Sequence, residues 1–353
     1  MHLPRELQAA VQHEVQQEVE REVEQEMKQH SARAGSSRLA AASAELSRQY
    51  KDGNFSSPAV QTDAQRAAYL AVRLPATYAA TWNVFSELRR LAPQAHIHSI
   101  LDLGAGPGTA VHAAQQVFPD IASATLLEAD SAWIAAGKRI AAACAGLQAE
   151  SFRWIRQDLS QSFSADPHDI VVIAYALNEL AQSRRDALLK QAWSLCTGFL
   201  VVVEPGTTRG FAVINAARSF LIGQNARLLA PCPHQDLCPM ATGGDWCHFS
   251  QRLERTALHR RLKGGDLGYE DEKFSYIVAS KAQTQPALAR IVRHPMKHSG
   301  HVKISLCTTA GLESKTITRS QKQAYKLARQ AIWGQAWEQE ASKDASEQET
   351  KNE

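Results

Sequence analysis

Four apolar runs, each ending in a polar turn, constrain this chain more than any other feature. They are "SILDLGA", "ATLLEAD", "DIVVIAYAL" and "GFLVVVEPG", between residues 99 and 206. Unbroken runs of this kind belong to strands covered on both faces, because a strand with one wet face alternates polar and apolar residues. The stretches "SAWIAAGKRIAAACAGL" and "SRRDALLKQAWSLC" between them carry helical spacing. This alternation predicts an α/β fold built on a doubly wound parallel sheet over about residues 95–225.

The flanking regions differ in character. In "VQHEVQQEVEREVEQEMKQ" an apolar residue recurs every fourth position (Val11, Val15, Val19, Val23, Met27) among glutamates. Residues 1–60 are therefore expected to form an acidic helical arm, solvated on most sides, and a linker. Residues 61–94 read as a helical cap of two helices split at Pro75. Residues 226–338 are more polar and basic, with strand-like "EKFSYIVASK" and "HVKISLCTT" and a helix in "SQKQAYKLARQAIWGQAW". The tail, residues 339–353, is too polar to fold alone and is expected to be disordered. With 44% hydrophobic residues the chain can bury one large core and a smaller second one. It has no apolar signal core at the start and no run of about 18 apolar residues. The expectation is a cytoplasmic protein with no membrane partner.

"LDLGAGPGTA" closes the first strand with Asp102 and places Gly104, Gly106 and Gly108 in the turn to a helix. Glycines there permit positive φ and let a ligand approach the backbone. The second strand ends in "LLEAD", where Glu128 can accept both hydroxyls of a ribose. "IRQDLS" puts Asp158 where polar groups that contact adenine sit. This set resembles class I S-adenosylmethionine-dependent methyltransferases, whose sheet is Rossmann-like. After the fourth strand the chain reads "YALNEL". Asn178 and Glu179 are candidates for a substrate-binding or acid–base pair, without the Pro-Pro-aromatic turn common in amine methylation of bases. Cys144 and Cys196 lie in apolar surroundings and read as buried fillers rather than nucleophiles.

"PCPHQDLCPMATGGDWCHF" gathers Cys232, Cys238 and Cys247, and Cys307 follows at the end of "VKISLC". Clustered cysteines in a reducing compartment point to metal rather than disulfides. The loose C-x5-C-x8-C spacing lacks the C-x2-C knuckles of structural zinc and suits an iron–sulfur cluster better, with zinc as the alternative. His234 and His248 are substitute ligands or neighbours. Beyond them runs a basic series that would suit a phosphate backbone: Arg252, Arg255, Arg260, Arg261, Lys263, Arg290, Arg293, Lys297, Lys303, Lys315, Arg319, Lys322, Lys326 and Arg329.

"AYLAVRLPATYAA", "LDLGAGPGTA", "VVVEPGT", "PCPHQDLCP", "DWCHF", "FSYIVASK" and the block "ARIVRHPMKHSGHVKISLCTTAGLESKTITRSQKQAYKLARQAIWGQAW" carry a further likeness. Together they resemble the methyltransferase-like small-ribosomal-subunit assembly family of mitochondria and bacteria, over about residues 40–338. The resemblance implies a class I methyltransferase fold and a small C-terminal metal-bound basic region. It implies a [4Fe-4S] cluster on Cys232, Cys238, Cys247 and Cys307. It also implies S-adenosylmethionine at Gly104, Gly106 and Glu128, and the small-subunit precursor with its rRNA as partner. The leading expectation is an assembly factor that binds ribosomal RNA. The alternative is an active rRNA methyltransferase with Asn178 and Glu179 near the transferred methyl. A cluster-based sensor of iron supply is a third reading.

Overall fold

The apolar runs become strands because their side chains have helices to bury against on both sides. The computed structural model describes residues 1–28, 35–52, 60, 62–144 and 151–338. Strands β1 (Ser99–Leu103), β2 (Ser123–Glu128), β3 (Phe152–Arg156), β4 (His168–Ala174) and β5 (Cys196–Pro205) pair in parallel in the order β3-β2-β1-β4-β5. Helices α5 (Thr109–Val117), α6 (Ser131–Ala143), α7 (Gln182–Leu195) and α8 (Thr208–Gly223) make the crossovers. One face of the sheet packs on Val111, Phe118, Trp133 and Ile140, the other on Leu188, Leu189, Ile214 and Leu221.

The sheet does not stop at residue 225. Strand β6 (Arg227–Ala230) forms its last member, and β8 (Tyr269–Ser280) slots between β5 and β6, antiparallel to both. The sheet is therefore mixed, where the sequence predicts a purely parallel one. Its order, with one reversed strand before the last, is that of the class I methyltransferase fold. The C-terminal half of β8, from Phe274 on, is buried throughout. Its N-terminal half alternates and pairs β7 (Phe249–Glu254).

The helices before the sheet cap it. Helix α1 (Arg5–Lys28) buries Leu7, Val11 and Val15, and α2 (Gly35–Asp52) buries Leu39 and Leu46. The described part of α1 is thus docked rather than a solvated arm. Glu14, only 2% exposed, is held by Arg139 of α6, whose Nε donates to its two oxygens at 3.0 and 2.9 Å. A buried carboxylate that is paired in this way avoids most of the desolvation cost. Helix α3 (Asp63–Ala68) runs through a π turn, Tyr69–Arg73, into α4 (Leu74–Leu91). The expected split at Pro75 is absorbed by this π turn: proline lacks an N–H, sits in the first turn of α4, and leaves the helix axis unbroken.

Past the sheet come α9 (Pro239–Thr242), α10 (Ala257–Lys263) and a second, five-stranded sheet. It consists of β9 (Ala289–Ile291), β10 (Met296–Lys297), β11 (His301–Thr308), β12 (Gly311–Thr318) and β13 (Ala336–Trp337). Its own small core joins Ile291, Val302, Ile304, Leu306, Ile317 and Trp337 to Ala328 of α11 (Lys322–Gln330). The helix stops at Gln330, short of the expected end, because Gly334 takes φ +90° and the chain turns back to pair β13 with β9. The tail expected to be disordered, residues 339–353, lies outside the described residues. Among the described residues no helix is long and apolar enough to cross a membrane.

Candidate functional site

Two sites emerge. The first stands at the carboxyl ends of β1, β2 and β4, where an open α/β sheet binds ligands. Gly104, Gly106 and Gly108 take φ of +80°, +53° and +84°. A Cβ on Gly104 would stand 2.6 Å from the Ala176 Cβ, so this turn approaches the end of β4 too closely for any side chain. Gly104 and Ala105 donate their N–H groups to the Leu127 carbonyl at 2.9 and 3.0 Å, which fixes the turn on β2. Glu128 then accepts from the N–H of Gly106 at 2.8 Å and of Asp130 at 2.9 Å.

Carboxyls crowd this cleft. Asp102 is 1% exposed, has an oxygen without a partner, and is pushed up to about 8 by burial and then by the Glu128 charge. Burial also raises Glu128. Glu179 is pushed up to about 7 by the protein around it and by Glu128, although solvent reaches its side chain and tempers the effect. Such a cluster repels anions and favours a ligand carrying positive charge. Asp158 is exposed in the loop after β3 and accepts the Ser160 N–H at 2.8 Å.

Asn178 is buried and tied down: its side-chain amide and backbone N–H both donate to Glu204, a fully buried carboxyl pushed up to about 8 by burial. Among the described residues the Asn178 Oδ1 has no partner. Beside it stands a group that sequence reasoning missed. Tyr175 takes φ +62°, rare for an aromatic residue, and its hydroxyl donates to Glu272 Oε1 at 3.1 Å. Arg73, from the π turn, grips the same carboxylate with two N–H groups at 3.1 and 3.2 Å. Only the five apolar residues before Tyr175 are legible as a strand, and nothing local marks its pairing with residue 272.

The second site lies between the two sheets. Cys232 follows β6, Cys238 caps α9, Cys247 precedes β7 and Cys307 lies on β11; all four line one cavity with His234, Arg218 and Arg290. His234 Nε2 stands 3.6 Å from the Cys307 sulfur. His248 is elsewhere, stacked on Trp246 at 4.9 Å and against Trp333 at 4.7 Å. Burial raises the Cys232, Cys247 and Cys307 thiols, and neighbouring cysteines raise each of them further. Mutual repulsion of this kind is what a bound cation relieves. Among the described residues no three His, Cys, Asp or Glu side chains stand together as the ligand set of a single ion. Cys144 and Cys196 are buried far from either site, their thiols pushed up to about 11 and about 12 by burial, which suits fillers.

The basic series divides. Arg290 is interior; Arg252 pairs with Asp271, Arg255 and Lys263 with Glu270, and Arg293 with Asp245. Arg260 and Arg261 are exposed on α10 and Lys315 on β12 pairs with Glu313, and a further group of cations surrounds the loop 298–300. Arg319 Nη2 and the Tyr325 hydroxyl donate to the Ser299 carbonyl, and Arg329 to that of His298. Lys297, Lys322 and Lys326 stand exposed around them, while Lys303 faces the opposite side of β11 from the core residues Val302 and Ile304.

The profile of the family described as "Mitochondrial small ribosomal subunit Rsm22" matches residues 63–338, which contain both sites and the second sheet. The chain belongs to the Rsm22 family. An Rsm22-cox11 tandem protein of Schizosaccharomyces pombe is 28% identical to this Rsm22-family chain over 360 residues, covering 82% of the chain and 45% of the relative. The human mitochondrial "Ribosome assembly protein METTL17" is 26% identical over 291 residues, 77% of this chain and 62% of that one. The Rsm22-family chain thus spans less than two thirds of either relative's length. Among solved structures, a magnesium protoporphyrin IX methyltransferase from Synechocystis with bound SAM matches with a TM-score of 0.39 at 12% identity, over 59% of this chain and 80% of that one.

Proposed function

We propose that this chain is an assembly factor of the small ribosomal subunit that docks on ribosomal RNA through the cations around loop 298–300. The observation that carries the proposal is the family match, which runs unbroken through the cleft, the cysteine site and the basic sheet. The relatives' names carry the word mitochondrial, whereas the cytoplasmic placement expected of this chain is kept as a proposal, tied to the subunit itself in whichever compartment it is built.

S-adenosylmethionine fits the first site. Its ribose hydroxyls suit Glu128, the glycine turn leaves room for its backbone approach, and the acidic cleft suits its sulfonium. The cofactor would supply an electrophilic methyl group. For the second site, four thiols line one cavity without forming the ligand set of a single ion. A zinc ion needs its sulfurs about 2.3 Å from one centre, whereas a [4Fe-4S] cluster takes four thiolates onto separate irons. The residues favour the cluster, which would join the segment after β6 to β11.

A second reading, RNA methylation, has one observation in its favour: the buried Asn178 Oδ1 has no partner among the described residues and could accept from a substrate amine that reaches it. Against it, the Asn178 amide is locked on Glu204. Co-sedimentation with small-subunit precursors tests the leading proposal, with wild type compared to Cys238→Ser and iron measured in each fraction. Wild type and iron should travel with the precursors and the variant should not. Absence of both proteins from the precursor peak rejects docking, and labelled methyl transfer to rRNA lost in Glu128→Ala favours the second reading.

A further inference from the structure

The cavity between the four cysteines is walled by two buried guanidiniums with unused donors. Arg218, on α8, is 4% exposed; its Nη2 donates to the carbonyls of His234 at 3.1 Å and Asp236 at 2.6 Å, and its Nε has no partner among the described residues. Arg290, on β9, is 1% exposed; its Nε donates to the Pro231 carbonyl at 3.0 Å. Its Nη1 donates to Glu87 Oε1 at 2.5 Å and the Gly334 carbonyl at 3.1 Å, while Nη2 has no partner among the described residues. His234 Nδ1 is also buried without one.

A buried N–H without an acceptor costs about 1–3 kcal/mol, more on a charged group. Two at one cavity mark a place prepared for an acceptor-rich anion. Among the described residues, of the pair's two positive charges only that of Arg290 has a carboxylate, Glu87, against it. Neutral thiols accept hydrogen bonds weakly, whereas thiolates and bridging sulfides accept them well.

We propose that Arg218 and Arg290 are the charge partners of an anionic thiolate-ligated group, holding it by N–H···S hydrogen bonds and easing its one-electron reduction. The inference rests on the cluster reading above. One electron from an external one-electron donor, dithionite in the test below, would take a [4Fe-4S] group held by Cys232, Cys238, Cys247 and Cys307 from a net charge of −2 to −3 with no bond or proton moved, and fixed positive charges at hydrogen-bond range would favour that form.

The test uses the full chain, reconstituted anaerobically with iron and sulfide, as wild type, Arg218→Gln and Arg218→Lys. Iron and sulfide per chain are measured, and the reduced fraction is followed by electron paramagnetic resonance during a dithionite titration. At fixed potential the Gln variant should show a reduced-to-oxidised ratio about tenfold lower, about 59 mV for a one-electron couple. The Lys variant, which keeps the charge, should recover most of it. A Gln variant within twofold of wild type overturns the proposal. Equal loss in both variants also overturns it, since that outcome reports only the broken links to the His234 and Asp236 carbonyls. If the Gln variant holds no iron, the Lys variant alone decides: a titration within twofold of wild type supports the pairing and a tenfold loss rejects it. Wild type that takes up zinc but no iron and sulfide rejects the cluster reading separately. Zinc loss to a chelator then decides for the arginines, with about tenfold faster release from Gln than from Lys supporting them and equal release rejecting them.

Discussion

Arg290 Nη1 stands 2.5 Å from Glu87 Oε1, joining the second sheet to helix α4 across 203 residues of chain. Arg290 is 1% exposed and the Glu87 side chain 13%. Burial pushes the Glu87 carboxyl up, but the hydrogen bond from Arg90 and the Arg290 charge outweigh it and hold the group below its usual range. Glu87→Ala leaves a buried guanidinium without its carboxylate. The expected loss is about 3–5 kcal/mol, read as a fall in the urea midpoint. Because the folded carboxyl is depressed, its stabilisation is present above the unfolded value of 4.5 and is lost as pH falls through the lower folded value. Wild type should therefore be more acid-labile than Glu87→Ala relative to each protein's own neutral-pH stability.

Asp102 gives the opposite pH dependence. Its folded value of about 8 lies far above the unfolded 3.8. Between these, the folded state holds a proton that the unfolded state has released, so stability is full below pH 3.8 and declines as pH rises to about 8. Each such group contributes a slope of up to about 1.4 kcal/mol per pH unit. Asp102→Asn should remove its share from the cofactor-free protein in denaturation curves taken from pH 5 to 8. Glu204, also near 8, should leave a parallel slope behind.

The glycine turn predicts a graded series in cofactor binding. Gly104→Ala meets the Ala176 Cβ at 2.6 Å in a left-handed conformation, so it should abolish S-adenosylmethionine binding in calorimetry. Gly106→Ala meets nothing within 4 Å and carries only the conformational strain of about 1–2 kcal/mol. Glu128→Gln should weaken binding about tenfold to a hundredfold through loss of a charged acceptor.

Charge reversal on α11 separates docking from folding. Lys322 and Lys326 are exposed, on the side of the helix away from Ala328 and the core. Lys322→Glu with Lys326→Glu should leave the stability read from urea unfolding within about 0.5 kcal/mol of wild type. It should weaken rRNA binding and lower the salt slope by about 1 per lost phosphate contact. An unchanged slope places the RNA elsewhere.

Strands β1, β2, β4 and β5 and the glycine turn were legible because their signals are local: apolar runs, and glycines where φ must be positive. The position of β8 was not, since nothing in "FSYIVAS" says that it will lie antiparallel between two strands far back in the chain. Arg290 reads as one more cation in a basic series, and only the fold reveals Glu87 against it. Arg218 carried a fainter local sign, as the one charge within the apolar stretch "GFAVINAARSFLIG" of α8. The acidic spacing of α1 pointed to solvent for the same reason, as Arg139 lies 125 residues from Glu14. The four cysteines could be grouped by chemistry from the sequence, but their sharing of one cavity depends on how the two sheets meet.

The late arrival of β8 also sets an order of events during synthesis. The first sheet stays open along the β5 edge until residue 280 has left the ribosomal tunnel, and Cys232, Cys238 and Cys247 all emerge before that strand closes it. Cys307 follows 27 residues later. A nascent chain therefore shows three thiols on an unfinished scaffold before the fourth exists, and whatever they hold is locked in last by the strand that brings Cys307.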